Sequence, residues 1–323
     1  MTGMIWLRGL AAMIAVALAG GAALAQTYPD RPVRIIVGFT AGSATDITAR
    51  VMAQKFSDAW KVPVTVENIS GSSGAIGVDR VAKAAPDGYT LMWTGSAAVT
   101  IVPALQGAAF DPVKDLAPIS LALTMPSIFA VNNDVPAKSL AEFIALAKKQ
   151  PGKLSYATPG VGTPQHIAGE MLKKMAGIDI VHVPYRGAQF IDVIGGRVTS
   201  TLQNAGAMLP VVQEKKLRGI AVTSLTRSPK MPDLPTVAEQ GFPGFEAISW
   251  FGFLAPAGAP AEVIQKVHQE TVKTLKMPDV AERFSKLGLD TIGSSPAEMA
   301  ATIKTDLEKW TKVIKEAGIT AAN

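Results

Sequence analysis

The sequence contains no cysteine and only three histidines, and 18% of its 323 residues are charged, below the roughly 25% typical of soluble domains. Without cysteine there is no disulfide framework, no thiolate metal site, no sulfur nucleophile and no lipid attachment point. The fold must therefore rest on a buried core, which a chain of this length can supply. His166, His182 and His268 show no metal-ligand spacing and have no evident third ligand, so no metal is expected. There is also no Gly-x-Ser-x-Gly nucleophile elbow and no Gly-x-x-x-x-Gly-Lys phosphate loop. Gly71-Ser72-Ser73-Gly74-Ala75-Ile76-Gly77 is glycine-rich but lacks the Gly-x-Gly opening of a dinucleotide turn. Together these gaps argue against an enzyme and against any cofactor. The net charge of +5 is thin, and pairs such as Lys148-Lys149, Lys173-Lys174 and Lys215-Lys216 fall on helical patterns beside Ala and Leu. They read as solvated helix faces, so no nucleic-acid partner is expected.

What is present begins with a leader. Arg8 is the sole charge before Gln26, the run Leu10 to Ala19 is apolar, and Ala23-Leu24-Ala25 places small residues two apart. This is the pattern of a secretory signal peptide over residues 1–25, cut after Ala25. The apolar run is too short, and too rich in Ala and Gly, for the ~20 residues of a membrane-spanning helix. No later segment offers a span.

Beyond the leader, strand and helix patterns alternate. Val33 to Val37 is a β-branched run, and Asp46 to Trp60 carries a helical stripe at Ile47, Val51, Met52 and Phe56. Val62 to Val66 and Tyr89 to Trp93 read as strands flanking a helix over 75–84. A second series follows: strand Ser127 to Val131, helix Ser139 to Lys149, strand Leu154 to Ala157 and helix Pro164 to Met175. Strands Ile180 to Val183 and Arg218 to Val222, with a short helix over 189–194, complete it. After the segment Trp250 to Leu254 come helices Pro260 to Leu275 and Pro296 to Glu316. Such alternation predicts an α/β fold of mainly parallel sheets flanked by helices. The expected arrangement is two lobes: residues 26–124 with 247–323 in the first, and 125–246 in the second. The chain is expected to cross near Leu121 to Met125 and to return near Phe245 to Trp250.

Two loops, one per lobe, join a strand to a helix and are rich in small residues and hydroxyls. They are Phe39-Thr40-Ala41-Gly42-Ser43-Ala44-Thr45-Asp46 and Ala157-Thr158-Pro159-Gly160-Val161-Gly162-Thr163-Pro164. The first amides of a helix have no internal partner and the helix dipole is positive there, which suits a carboxylate. Ser43, Thr45 and Thr163 are candidate hydroxyl donors. Ligands of open α/β sheets bind at the carboxyl ends of strands, where both loops lie. Ser43 and Thr163 would each serve equally well as a plain helix cap; it is the matched pair of loops that favours a ligand site. Asp46 fits best as a partner of the dipole and of Arg50.

The ordered motifs Tyr28-Pro29-Asp30-Arg31-Pro32-Val33-Arg34-Ile35-Ile36-Val37, Gly42-Ser43-Ala44-Thr45-Asp46, Val66-Glu67-Asn68 with Gly71 to Gly77, and Pro86-Asp87-Gly88-Tyr89-Thr90-Leu91 have a familiar look. With His166-x-x-Gly169-Glu170, Val183-Pro184-Tyr185-Arg186-Gly187 and Gly195-Gly196 they span nearly the whole mature chain. The sequence resembles the tripartite tricarboxylate transporter substrate-binding proteins, also called Bug receptors. That resemblance implies a type II-like periplasmic binding protein of two α/β lobes that closes like a flytrap on a carboxylate. It implies a periplasmic location, a monomer, and membrane transporter subunits as partners. Carried over by motif, it places Thr40, Ala41, Gly42, Ser43, Ala44, Thr45 and Asp46 at the ligand in one lobe. Gly160, Val161, Gly162, Thr163 and His166 take that place in the other, and Ser96 is a further candidate.

The chain departs from the family pattern in three places, one of them a helix after Gly187 that is shorter by a residue. Thr40-Ala41 stand where prolines are usual, and Gln203-Asn204 where Asp-Asn is common. With no acid there, Gln203 and Asn204 would suit a ligand without an α-ammonium group. Phe39, Trp93 and Trp250 are candidates for an aromatic wall, although such residues more often belong to the core. A C4-dicarboxylate, a citrate-like acid and an aromatic carboxylate all fit this reading. A ligand-presenting protein for a membrane sensor kinase would look the same in sequence.

Overall fold

The computed structural model describes residues 28–185 and 190–320. The signal peptide expected over residues 1–25 and Arg186 therefore lie outside the described residues. The β-branched run forms strand β1 (Val33–Val37), buried except at Arg34. It lies between β2 (Val64–Asn68) and β3 (Thr90–Gly95) and is parallel to both. Helices α1 (Ala44–Trp60) and α2 (Ala75–Ala82) connect these strands. Alternation of side chains along β1 feeds two cores. Val33, Ile35 and Val37 meet Met52 and Phe56 of α1, while Ile36 meets Val78 and Val81 of α2. A π-helical turn (Ala97–Ile101) and the short α3 (Val102–Gln106) follow β3.

Strand β4 (Leu116–Val131) is 16 residues long, about 50 Å of extended chain. It runs through both lobes and was expected to be a strand only from Ser127. Its first part pairs antiparallel with β9 (Ile248–Pro256) as far as Pro126↔Ile248. From Ser127 onward it pairs antiparallel with β7 (Ser200–Asn204) and β8 (Arg218–Val222). The second lobe adds α4 (Leu140–Lys149), β5 (Ser155–Thr158), α5 (Pro164–Ala176), β6 (Val181–Pro184), α6 (Phe190–Ile194) and α7 (Ala205–Gln213). Strand β5 is parallel to β6 and β7.

The full strand order is β2-β1-β3-β9-β4-β7-β5-β6, with β8 and a two-residue β10 (Asp290–Thr291) also on β4. The sheet is therefore mixed. Parallel pairing holds among the outer strands of each lobe, but β4 and β9 cross the molecule in opposite directions and so pair antiparallel. Strand β7, with the sequence Ser-Thr-Leu-Gln-Asn, has little of the composition of a strand. It owes its state to its neighbours, which bury Ser200, Thr201, Leu202 and Gln203.

The last elements are α8 (Ala261–Leu275), α9 (Pro278–Lys286) and α10 (Pro296–Ala317). Residues 247–323 were expected in the first lobe, but α10 belongs to both. Met299 and Ile303 lie in the core with Ile36 and Met92, whereas Trp310 and Ile314 lie in the core with Phe143 and Leu172. Among the described residues no helix is long and apolar enough to cross a membrane.

Candidate ligand site between the lobes

The first loop is held from behind by a carboxylate. Ser43 caps α1, its hydroxyl accepting from the Asp46 amide at 3.2 Å. Asp46, 2% exposed, accepts from the Gly42 amide at 2.9 Å and from Arg50 Nε at 3.0 Å through Oδ2. Its Oδ1 accepts from Asn68 Nδ2 at 2.9 Å, and the same amide group donates to the Phe39 carbonyl. Burial pushes the Asp46 carboxyl up, but the hydrogen bonds from Arg50, Gly42 and Asn68 outweigh it and hold it below the usual range. Asp46 braces the loop; it does not touch the cleft.

The second loop is capped by Thr163, whose hydroxyl accepts from the His166 amide at 3.3 Å and donates to the Gly160 carbonyl at 2.7 Å. That hydroxyl, expected as a ligand donor, has its proton engaged inside the loop. The Gly162 amide donates to His166 Nδ1 at 3.2 Å. The His166 ring stacks on His182 with centroids 4.0 Å apart, and His182 Nε2 lies 2.7 Å from Thr158 Oγ1. Burial lowers both imidazoles to about 4, helped for His166 by Lys173 and for His182 by His166. Both are neutral at pH 7. They face a separate cavity beside Glu170 and the end of α10, so His166 supports the loop from outside the cleft.

A cavity of about 220 Å³ lies between the two loops. Of the residues expected at the ligand, Phe39, Ala44, Thr45, Ser96, Gly162, Thr163 and Asn204 line it. Thr40, Ala41, Gly42, Ser43, Asp46, Gly160, Val161, His166 and Gln203 do not. Gln203 turns its Oε1 to the Asn204 amide at 2.8 Å. Trp93 is fully buried and donates to Thr48 Oγ1 at 3.0 Å, so it belongs to the core. Trp250 is on the wall and is tied behind it to Asp306 through its Nε1 at 2.9 Å.

Sequence reasoning missed Ser73, Met125, Gln165, Ser249 and Phe251, all of which line the cavity. Met125, Ser249 and Phe251 sit on the crossing strands, whose register no local pattern reveals. Gln165 follows the second loop directly and donates to Ser127 Oγ at 3.0 Å and to Asn204 Oδ1; its place at a helix start was the one available signal.

The amides of Ala44, Thr45 and Gln165 have no hydrogen-bond partner among the described residues, as expected for first-turn positions. Two helix N-termini thus meet one cavity, and among the described residues lining it none is charged. Such an arrangement offers backbone and hydroxyl donors of the kind that suit an anion. Among the described residues lining the cavity there is no histidine, carboxylate or lysine.

The sequence profile of the tripartite tricarboxylate transporter family receptor matches residues 48–319. The chain belongs to that family. Protein BugT of Bordetella pertussis is 33% identical over 314 residues, covering 94% of this chain and 95% of BugT. The solved periplasmic binding protein BugD is 32% identical with a TM-score of 0.75, over 91% of this chain and 99% of BugD. A Rhodopseudomonas palustris relative described as Rpa4515 with adipate is also 32% identical, TM-score 0.78, over 91% and 99%. The resemblance read in the motifs is borne out, as is the two-lobed binding-protein fold. Receptors of this family bind solutes and are not enzymes, and this chain is a solute-binding receptor.

Proposed function

We propose that this receptor works in the bacterial periplasm as a monomer. It closes its lobes on a small carboxylate and delivers it to the membrane subunits of a tripartite tricarboxylate transporter. The observation that carries the reading is the convergence of two helix starts on one cavity; the amides of Ala44, Thr45 and Gln165 have no partner among the described residues, and the described lining carries no charge. The R. palustris relative solved with adipate supports the same ligand class. A cavity of about 220 Å³ is below the ~300–1,000 Å³ of drug-sized pockets, which suits a small acid.

A thermal-shift screen of the purified mature chain over aliphatic and aromatic carboxylates tests the proposal. A ligand at 100 times its dissociation constant adds ~2.7 kcal/mol to folding stability, a clear rise in midpoint. If no carboxylate raises the midpoint, or if a ligand is converted in excess over protein, the reading fails. Deleting the gene should abolish uptake of the ligand that binds.

A further inference from the structure

The two halves of the cavity differ in what they offer an anion. In the first lobe the Ala44 and Thr45 amides are unpartnered, and the Thr45 and Ser73 hydroxyls line the cavity with no hydrogen bond of their own among the described residues. Ser96, 2% exposed, also lines it; its oxygen accepts one long bond from the Trp250 amide at 3.5 Å, leaving the hydroxyl proton unengaged.

The second lobe is depleted by its own bracing. Pro164 occupies the first position of α5 and has no N–H. The Gly162 amide is engaged by His166, the Thr163 amide by the Gly160 carbonyl at 3.4 Å, and the Thr163 hydroxyl by the same carbonyl. Gln165 N–H and the Asn204 side-chain amide are what remain. On the crossing strand β9 the Ser249 hydroxyl adds one further donor, and the remainder of the described wall is mostly apolar, from Phe39, Met125, Pro159, Pro164, Trp250 and Phe251.

We propose, on the basis of the carboxylate reading above, that the ligand carries a single carboxylate on an apolar body about the size of one ring. The first lobe holds the carboxylate through Ala44, Thr45, Ser73 and Ser96. The aromatic and proline wall covers the body. A second carboxylate would lose its water in a cavity whose described lining has no cation and few remaining donors, a large desolvation cost. An apolar ring instead gains burial and edge or face contacts with Phe39, Trp250 and Phe251. In this the chain differs from its relative described with adipate, a dicarboxylate.

Isothermal titration calorimetry on the mature protein decides this, with benzoate, phenylacetate, acetate, adipate and citrate as probes. Benzoate or phenylacetate is expected to bind at least tenfold tighter than adipate, citrate or acetate. Thr45→Val and Ser96→Ala should each weaken the better aromatic acid about tenfold, with circular dichroism unchanged. Arg186→Ala should leave its affinity within twofold. Adipate or citrate binding tighter than both aromatic acids overturns the inference while keeping the carboxylate reading. So does acetate matching benzoate, or loss of binding in Arg186→Ala. If none of the five binds and a wider carboxylate screen is also silent, it is the carboxylate reading itself that fails.

Discussion

His166 stands in the first turn of α5, yet its Nδ1 accepts from the Gly162 amide and its ring lies on His182. The pair acts as a prop for the second loop, and the prop requires neutral rings, because a protonated His166 has no lone pair left for Gly162. Folded-state values near 4 against an ordinary 6.5 mean that the unfolded chain takes up protons first as pH falls. The corresponding stability is whole above about pH 6.5 and is lost as pH drops toward 4. For His166 the loss is at most ~3 kcal/mol. Urea midpoints measured between pH 7 and pH 4 should fall more steeply for the wild type than for His166→Gln. Parallel slopes would remove the histidine from the pH dependence. Lys173 and Glu170 pair with each other at 2.9 Å beside the rings, and Tyr156 donates to the same Glu170 oxygen.

Between elements, glycine sets the spacing of the first loop. A Cβ on Gly38 would lie 2.4 Å from the Gly74 carbonyl oxygen, and one on Gly77 would lie 2.8 Å from the Gly38 Cα. The backbone after β1 therefore rests directly on the start of α2, which explains the run Gly71 to Gly77 without any nucleotide. Ser73 reaches the cavity because of this contact. Two effects compete in Gly77→Ala. Helix propensity favours alanine by ~1 kcal/mol, but forcing a methyl against fixed backbone costs ~1–3 kcal/mol. Overpacking should win, giving a net destabilisation in chemical unfolding and weaker ligand binding through a displaced loop. A stabilised variant would show that the two segments move apart easily.

Across the whole molecule, β4 and α10 tie the lobes together. One strand is shared by both sheets, and one helix has Met299 and Ile303 in one core and Trp310 and Ile314 in the other. The second loop also touches the first lobe, where a Cβ on Gly162 would come within 3.0 Å of Leu105. Calorimetry of the unliganded protein is expected to show one cooperative transition. Trp310, 1% exposed, should cost ~3–5 kcal/mol when cut to alanine, lowering that single midpoint. Two resolved transitions, with only one moved by Trp310→Ala, would mean that the lobes fold independently.

The α/β class and the two strand-to-helix loops at the cavity were legible in sequence, because they depend on local rules: β-branched runs, a 3.6-residue stripe, and hydroxyls before a helix start. Ser43 and Thr163 cap as their positions require. Which loop residues face the cavity was not legible, because it depends on partners remote in sequence. Asn68 and Arg50 turn Asp46 inward, and His182 holds His166 away from the cleft. The strand state of Ser200–Asn204 follows from its neighbours and not from its composition. The wall formed by Met125, Ser249, Trp250 and Phe251 follows from the register Thr124↔Trp250 and Met125↔Ser249 between strands more than a hundred residues apart. Local chemistry determined where an anion can be held, and long-range pairing decided which side chains enclose it, since register is set by contacts that exist only once the chain has folded.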